Sequence, residues 1–442
     1  MRSLVPPSLR SPHWRGALRH RNFRLFWFGQ LISLVGTWMQ SIAQAWLVLL
    51  LTGDPFWLGI VAAVQFLPVL VLGLFGGIVA DLLPKRRTLV GTQVASMVLA
   101  FTLALLSFTG VVQVWHVLVL GAGLGLVNAV DMPTRQSFVI EMVGREDVGN
   151  AVGLNSAIFN AARIVGPALA GLLIGAFGVT APFALNGLSY LAVIAGLLMI
   201  RESELQRTVL MTRPRSARDI GANLAEGLRY VRRTPSVLLA VSVVGVVATV
   251  GMNFNVLVPA LAQAVLHVGA TGLGFLMGAM GVGSLAAALS VAAMRRPRIR
   301  ILLFGAFTLG ALEIVLAAVD ALPPALVFPA ALVAIFGAGA GGIAMAATAN
   351  ATIQLAVPDP LRGRVMAVYT TVFAGSTPIG GLIAGWLAST FGTPVAIAFG
   401  GAASALTAVV AGAWLLRHGD APPGRSPETI SSGARRAGSG AP

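Results

Sequence analysis

Residues 77–87 read Gly77-Ile78-Val79-Ala80-Asp81-Leu82-Leu83-Pro84-Lys85-Arg86-Arg87, and their reading decides the fold. The stretch ends one long apolar run, places an acid beside a basic triplet in a short connection, and leads into another apolar run from residue 88. The same alternation governs the rest of the chain. Of its 30 Lys and Arg residues, all but Arg135 and Arg163 lie in the termini or in every second connection. These basic groups are Arg2 to Arg24, Lys85 to Arg87, Arg145, Arg201 to Arg233, Arg295 to Arg300, Arg362 with Arg364, and Arg417 to Arg436. The intervening connections, near Thr52 to Asp54, Thr109 to Gln113, Gly178 to Pro182, Leu266 to Thr271, Asp320 to Pro324 and Gly392 to Pro394, hold none. Basic loops confined to one side are the positive-inside pattern of a membrane protein with an even number of crossings and both termini cytoplasmic.

Composition agrees. The 442 residues are 57% hydrophobic and only 10% charged, with 52 Gly, as suits helices packed closely in lipid. A net charge of +15 raises nucleic acid as a partner. The excess belongs to loops that topology requires to be basic, so no nucleic-acid partner is expected. The absence of Cys excludes disulfides and thiolate chemistry. The first apolar run, Phe23 to Leu51, is too long for a cleavable signal.

A crossing needs about 20 apolar residues. Twelve such segments are expected: 24–50, 56–80, 88–108, 114–137, 150–176, 182–200, 237–261, 272–294, 301–319, 325–348, 365–389 and 394–416. Backbone groups in lipid must be satisfied within each segment, so these are helices. Residues 1–16 read as a disordered arm, 17–200 as a six-helix half, and 201–236 as a linker with an amphipathic helix on the inner surface. Residues 237–417 read as the second half and 418–442 as a disordered tail. The halves repeat at an offset of 214 residues, with Phe159/Phe373, Gly166/Gly380, Ala170/Ala384, Gly171/Gly385, Leu173/Leu387, Phe177/Phe391 and Gly178/Gly392 identical. The expected fold is an all-α membrane protein of two parallel six-helix repeats, with a substrate site between them near the midplane.

The connection at residues 77–87 resembles the G-x-x-x-D-(R/K)-x-G-(R/K)-(R/K) signature of the major facilitator superfamily, with Leu82 and Pro84 departing from it. Arg163 to Gly171 resembles the antiporter motif G-P-x-x-G-G of its drug-export branch, with Ala170 in place of one Gly. Leu18 to Gln40 and Asp131 to Gln136 resemble the bacterial exporters of the enterobactin-exporter type, also called transmembrane secretion effectors. The resemblance covers residues 18–416. It implies gating by Gly77, Asp81, Lys85, Arg86, Arg87, Gly166, Pro167 and Gly171. Asp81 would meet positive helix ends and bias the balance of two conformations.

Four charges lie inside spans. Asp131 and Arg135 are four apart, acid first, the favourable order for a helical pair. Arg163 should face protein or water and find a carboxylate, with Asp131 its nearest candidate in sequence order, the pair serving either transport or only to hold spans four and five together. Glu313 is the lone acid well inside a span of the second half, a coupling candidate or a neutral structural acid. Gln30, Ser33, Thr37, Gln40 and Gln44 step by 3 and 4, one polar face that either lines a wet cleft or bonds to neighbouring helices. Asn128, Asn160, Asn253, Asn255, Asn350 and Tyr369 are candidates to complete the substrate pathway, the alternative for each isolated Asn being a hydrogen bond between helices.

Gly121-x-Gly123-x-Gly125 mimics a nucleotide fingerprint, yet it lies inside a span with no preceding strand. No Walker sequence, no metal-ligand spacing and no aqueous Ser/His/Asp set is present, so neither a cofactor nor enzyme activity is expected. The expectation is a monomeric, multi-pass plasma-membrane exporter of a small molecule, working by alternating access as a proton antiporter. The alternatives are an uncoupled facilitator or lipid-moving permease, and a non-transporting membrane sensor.

Overall fold

The computed structural model describes residues 16–206, 217–294 and 298–418, with side-chain surroundings for all of these except 74–81, 217–220 and 418. The arm to residue 15, the tail from 419, the linker stretch 207–216 and the basic remnant 295–297 lie outside the described residues.

The first half contains α1 (Arg21–Thr52), α2 (Phe56–Leu82), α3 (Lys85–Phe108), α4 (Val114–Phe177) and α5 (Thr180–Leu198). The linker carries α6 (Ala217–Arg233). The second half contains α7 (Pro235–Val250), α8 (Phe254–Ala264), α9 (Gly269–Ala292), α10 (Ile299–Ala317), α11 (Pro324–Ala356), α12 (Asp359–Phe391) and α13 (Thr393–His418). No strand occurs among the described residues.

Two elements depart from one helix per crossing. α4 is a 64-residue helix interrupted at Gly144, whose φ of 74° and ψ of 175° lie outside the helical region. A side chain there would be strained and would strike Gln206, so glycine is what lets the chain turn back through the membrane. The expected 237–261 crossing is instead two helices parted at Gly251 to Asn253, where the Asn253 N–H bonds back to the Gly251 carbonyl, 2.9 Å away. Among the described residues eleven segments are long and apolar enough to span. Because α4 turns back at Gly144, the crossings number twelve.

The repeat is visible in the packing. The second limb of α4 crosses onto α9 of the other half, and its counterpart α12 crosses onto α2. Both end in left-handed glycines, Gly178 at φ 75° and Gly392 at φ 91°.

The face carrying the basic connections is cross-tied within each half. In the first half Lys85 pairs with Glu141, and Arg86 pairs with Glu202 at 2.7 Å while donating to the Leu197 and Leu198 carbonyls. Arg19 and His20 both reach Asp147 at 2.8 Å. On the second half, Glu226 of α6 pairs with Arg364 at 2.7 Å and Tyr230 donates to the Ala356 carbonyl at 3.2 Å.

Candidate functional site

The two halves touch in the part of the membrane remote from the basic face. There Gly59 and Ala62 of α2 meet Gly381 of α12, and Phe56 meets Gly385. On the other side of the interface Gly171 of α4 abuts Gly274 of α9, and Ile164 abuts Gly281. Extending the first register toward the basic face sets Phe66 opposite Ala374 and Leu70 opposite Thr370, and all four are exposed. Extending the second brings Ala157 and Gly153 of α4 into exposure, with open space where a Gly153 side chain would project. The halves are therefore closed on one face and splayed on the other.

The antiporter-like motif sits in the closed contact. A side chain at Gly166 would meet the Trp38 Cβ at 2.6 Å, and one at Gly171 would meet the Gly274 Cα at 2.8 Å. Pro167 is buried, and its carbonyl lies 2.9 Å from where a Gly274 side chain would start. Gly77 and Asp81 fall within helical backbone of α2, but their side chains lie outside the described residues. Lys85 and Arg86 are engaged within the first half as given above, while Arg87 is exposed.

Asp131 is buried inside the first half, 1% exposed. It pairs with Arg135 and accepts from the Thr92 hydroxyl at 2.7 Å and the Gln93 amide at 2.9 Å. Arg135 in turn donates to Gln30 at 2.6 Å. This network joins α1, α3 and α4. Thr92 and Gln93 are not among the sequence candidates, although two adjacent polar residues within an apolar span are a readable signal.

The expected pairing of Asp131 with Arg163 does not form. Asp131 is satisfied locally, and Arg163 projects instead over the Trp38 ring, 5.9 Å from its centroid, with Phe159 edge-on to Trp38 at 5.6 Å. Among the described residues no carboxylate meets Arg163, and its Nε is buried without a hydrogen-bond partner. A ring face supplies the compensating negative density. The carbonyl of Arg163 lies 3.4 Å from where a Gly281 side chain would start, so this group stands where α1, α4 and α9 converge.

The polar face of α1 is also placed differently from a continuous cleft lining. Gln40 accepts from Asn186 of α5 at 2.7 Å, Gln44 is buried against Gly121 of α4, and Ser33 is buried. Thr37 donates to the Ser33 carbonyl at 2.9 Å. The stripe is turned into the first half, where Arg135 of α4 and Asn186 of α5 bond Gln30 and Gln40 while the Gln44 amide nitrogen is buried without a partner, leaving the Trp38 side toward the second limb of α4.

The remaining candidates divide. Asn253 is buried at the α7–α8 break and donates to the Thr249 carbonyl at 2.7 Å; α8 beyond it leans on α1, α2 and α12. Tyr369 is buried, donates to the Ala346 carbonyl at 3.2 Å and stacks on Phe373. Asn160 donates to the Ser156 carbonyl at 2.8 Å, and Asn350 accepts from the Gln354 amide. Asn128 is half-buried and Asn255 exposed. Glu313 is 2% exposed between α10 and α13, its Cβ 2.9 Å from the position of a Gly401 side chain, and its Oε2 has no hydrogen-bond partner. α10 packs against α11, α13 and α7, all in the second half, so Glu313 stands apart from the junction of the halves.

Two six-helix halves that meet on one face only, with a charged network and a broken helix at membrane depth, define a membrane transporter of the major facilitator fold. Residues 14–431 match the model of the transmembrane secretion effectors, and the chain belongs to that family, within the exporter branch of the superfamily. It is similar to the multidrug efflux pump Tap of Mycolicibacterium fortuitum, at 30% identity over 383 residues, 83% of this chain and 89% of that one. It is also similar to the staphyloferrin A transporter of Staphylococcus aureus, at 27% identity over 39% of this chain and 43% of that one. The fold is shared with a bacterial homologue of the iron transporter ferroportin in its inward-facing state, at a TM-score of 0.68 and 15% identity, covering 90% of this chain and 98% of that one. The chain is thus a multi-pass membrane transporter and not an enzyme.

Proposed function

We propose that this protein exports an amphipathic small molecule across the plasma membrane by alternating access, driven by protons moving the other way. The observation that carries the reading is the asymmetry of the interface. Helices in one antiparallel register are in contact at Gly59–Gly381 and exposed at Phe66 and Ala374, the geometry of two bodies rocked about their junction. The positive-inside pattern makes the splayed, basic face cytoplasmic, with both termini on that side. The form described is then open to the cytoplasm, ready to load cargo for export.

The relatives named for multidrug efflux and for staphyloferrin A support organic cargo. Arg163 with Trp38 and Phe159, and the Asn253 break, are the groups placed to meet it. Asp131 is the coupling acid in this scheme, because it is the one described carboxylate tied to both α1 and α3 through titratable or polar partners. The protein is read as a monomer, with one buried apolar cluster running through both halves. The test is efflux from proteoliposomes of purified protein loaded with staphyloferrin A or a panel of antibiotics. An imposed proton gradient should drive export, and its collapse by an ionophore should reduce net transport to exchange. Export that is indifferent to the gradient would leave an uncoupled facilitator.

A further inference from the structure

A second feature lies away from the junction of the halves, at the corner where the linker helix meets the membrane. α7 and α13 leave between them an open groove of about 440 Å³, lined by Pro235, Leu238, Val246, Leu406, Val410 and Trp414 among others. Its lining is apolar apart from Ser242 and Thr407. That volume is in the range of a single-molecule binding site, roughly 300–1,000 Å³. The groove runs from mid-helix to the basic face, for Pro235 opens α7 there and Trp414 sits in the last turns of α13.

Its mouth is cationic. Arg232 and Arg233 end α6 just before Pro235, and with Arg229 and Leu228 they line a second hollow of about 350 Å³. Arg417 follows Trp414 by three residues and is exposed. Among the described residues none of Arg229, Arg232, Arg233 or Arg417 has a carboxylate partner, and the neighbouring Glu226 is engaged with Arg364. A slot for hydrocarbon ending at several unpaired guanidinium groups, with a Trp at the boundary, matches one kind of molecule. The acyl chain would lie along α7 and α13, and the phosphate would take charge-assisted bonds from the arginines.

We propose that this corner is a binding site for one anionic phospholipid, which clips the linker helix to the second half. The occupant is a lipid rather than a free phosphate because Arg232 and Arg233 stand three and two residues before Pro235, at the end of an apolar groove that a phosphate alone would leave empty, and rather than a protein because the groove lies within membrane-spanning helices. A lipid held there ties α6 to α7 and α13, elements that move as one body in the proposed export cycle.

The test uses the full-length protein, delipidated in mild detergent, with phosphatidylglycerol and phosphatidylcholine of identical acyl chains. Native mass spectrometry should show one retained phosphatidylglycerol under conditions that strip phosphatidylcholine, and phosphatidylglycerol should raise the melting temperature more. The variant R232Q/R233Q should lose this preference by several-fold while still binding both lipids weakly. A groove-filling variant, Ala411→Trp, should weaken retention of both. The exposed first-half variant Arg24→Gln should keep the preference, showing that the effect is local rather than a matter of total charge. Inorganic phosphate alone should neither bind nor stabilise. Equal retention of the two lipids by the wild type would overturn the proposal. So would an undiminished preference in R232Q/R233Q, an equal loss in Arg24→Gln, or stabilisation by free phosphate.

Discussion

At the scale of the residue, the charges divide into those that hold the structure and those available to work. Asp131 is bound by Arg135, Thr92 and Gln93, so Asp131→Asn keeps the shape but leaves Arg135 with Gln30 alone. If Asp131 carries the proton, the variant loses gradient-driven export and retains exchange, since exchange needs both faces to open but no net proton movement. If it only neutralises Arg135, the loss appears as lower folding yield, because the half-buried guanidinium is left without its carboxylate. The double change Asp131→Asn with Arg135→Gln would then restore both yield and export. Gradient-driven export in that double variant would remove Asp131 from the coupling role. A second residue-scale case is Asp147, whose hydrogen bond from His20, reinforced by Arg19 against some desolvation, holds its carboxyl below the ordinary 3.8. A depressed pKa contributes stability that is present above the unfolded value and lost as pH falls through the folded one. Asp147→Asn should therefore lower stability by on the order of 1 kcal/mol across pH 5–8, with the gap to wild type closing only below about pH 4. A gap that instead widened on acidification would refute the assignment. The intramembrane charges were legible from the sequence, and so was one pairing among them; the surroundings of Arg163 were not. Spacing revealed the Asp131–Arg135 pair, because four residues make one turn of helix. Nothing local could show that Arg163 turns to Trp38, since that contact depends on how α1 crosses α4.

At the scale of the element, the long α4 and the broken α7–α8 show what the hydropathy of single spans conveys and what it omits. The apolar lengths and basic loops were enough to place twelve crossings. The break at Gly251 to Asn253 was not foreseen, because the stretch stays apolar and Asn253 is a single polar residue. The polar face of α1 had the expected spacing, yet its direction depended on Asn186 and Arg135, which lie elsewhere in the chain. The contact between α4 and α9 gives an element-scale test. With Gly274 Cα 2.8 Å from the position of a Gly171 side chain, Gly171→Leu must push these helices apart. The variant should insert normally yet open the face that is closed here, with transport down by about tenfold or more for a strain of 1–3 kcal/mol acting on the conformational balance. Accessibility of a Cys placed at Thr271 to an impermeant thiol reagent reads that opening directly. Unchanged labelling together with unchanged transport would mean the α4–α9 contact is not part of the gate.

At the scale of the molecule, orientation and rocking can be tested on the same cysteine-free background. Single Cys residues at positions 54, 110, 180, 268, 321 and 393 should react with an impermeant reagent from outside intact cells, and one at 211 should not. Labelling at 211 would reverse the topology and with it the direction of loading. The rocking itself is read by pairs across α2 and α12. A Cβ at Gly381 would lie 3.6 Å from that of Ala62, inside the range a disulfide spans, about 3.5–4.5 Å. Ala62→Cys with Gly381→Cys should therefore cross-link under mild oxidant in the form described here, stop transport, and recover on reduction. Phe66→Cys with Ala374→Cys occupies the same register nearer the basic face, where both positions are exposed. It should cross-link poorly at rest and efficiently during turnover, because the two bodies must close that face when the other opens. If the Phe66–Ala374 pair never forms during active export, or if locking Ala62 to Gly381 leaves export intact, the halves do not rock about this junction. The splayed face would then be a fixed vestibule, and cargo would have to cross by local gates within each half.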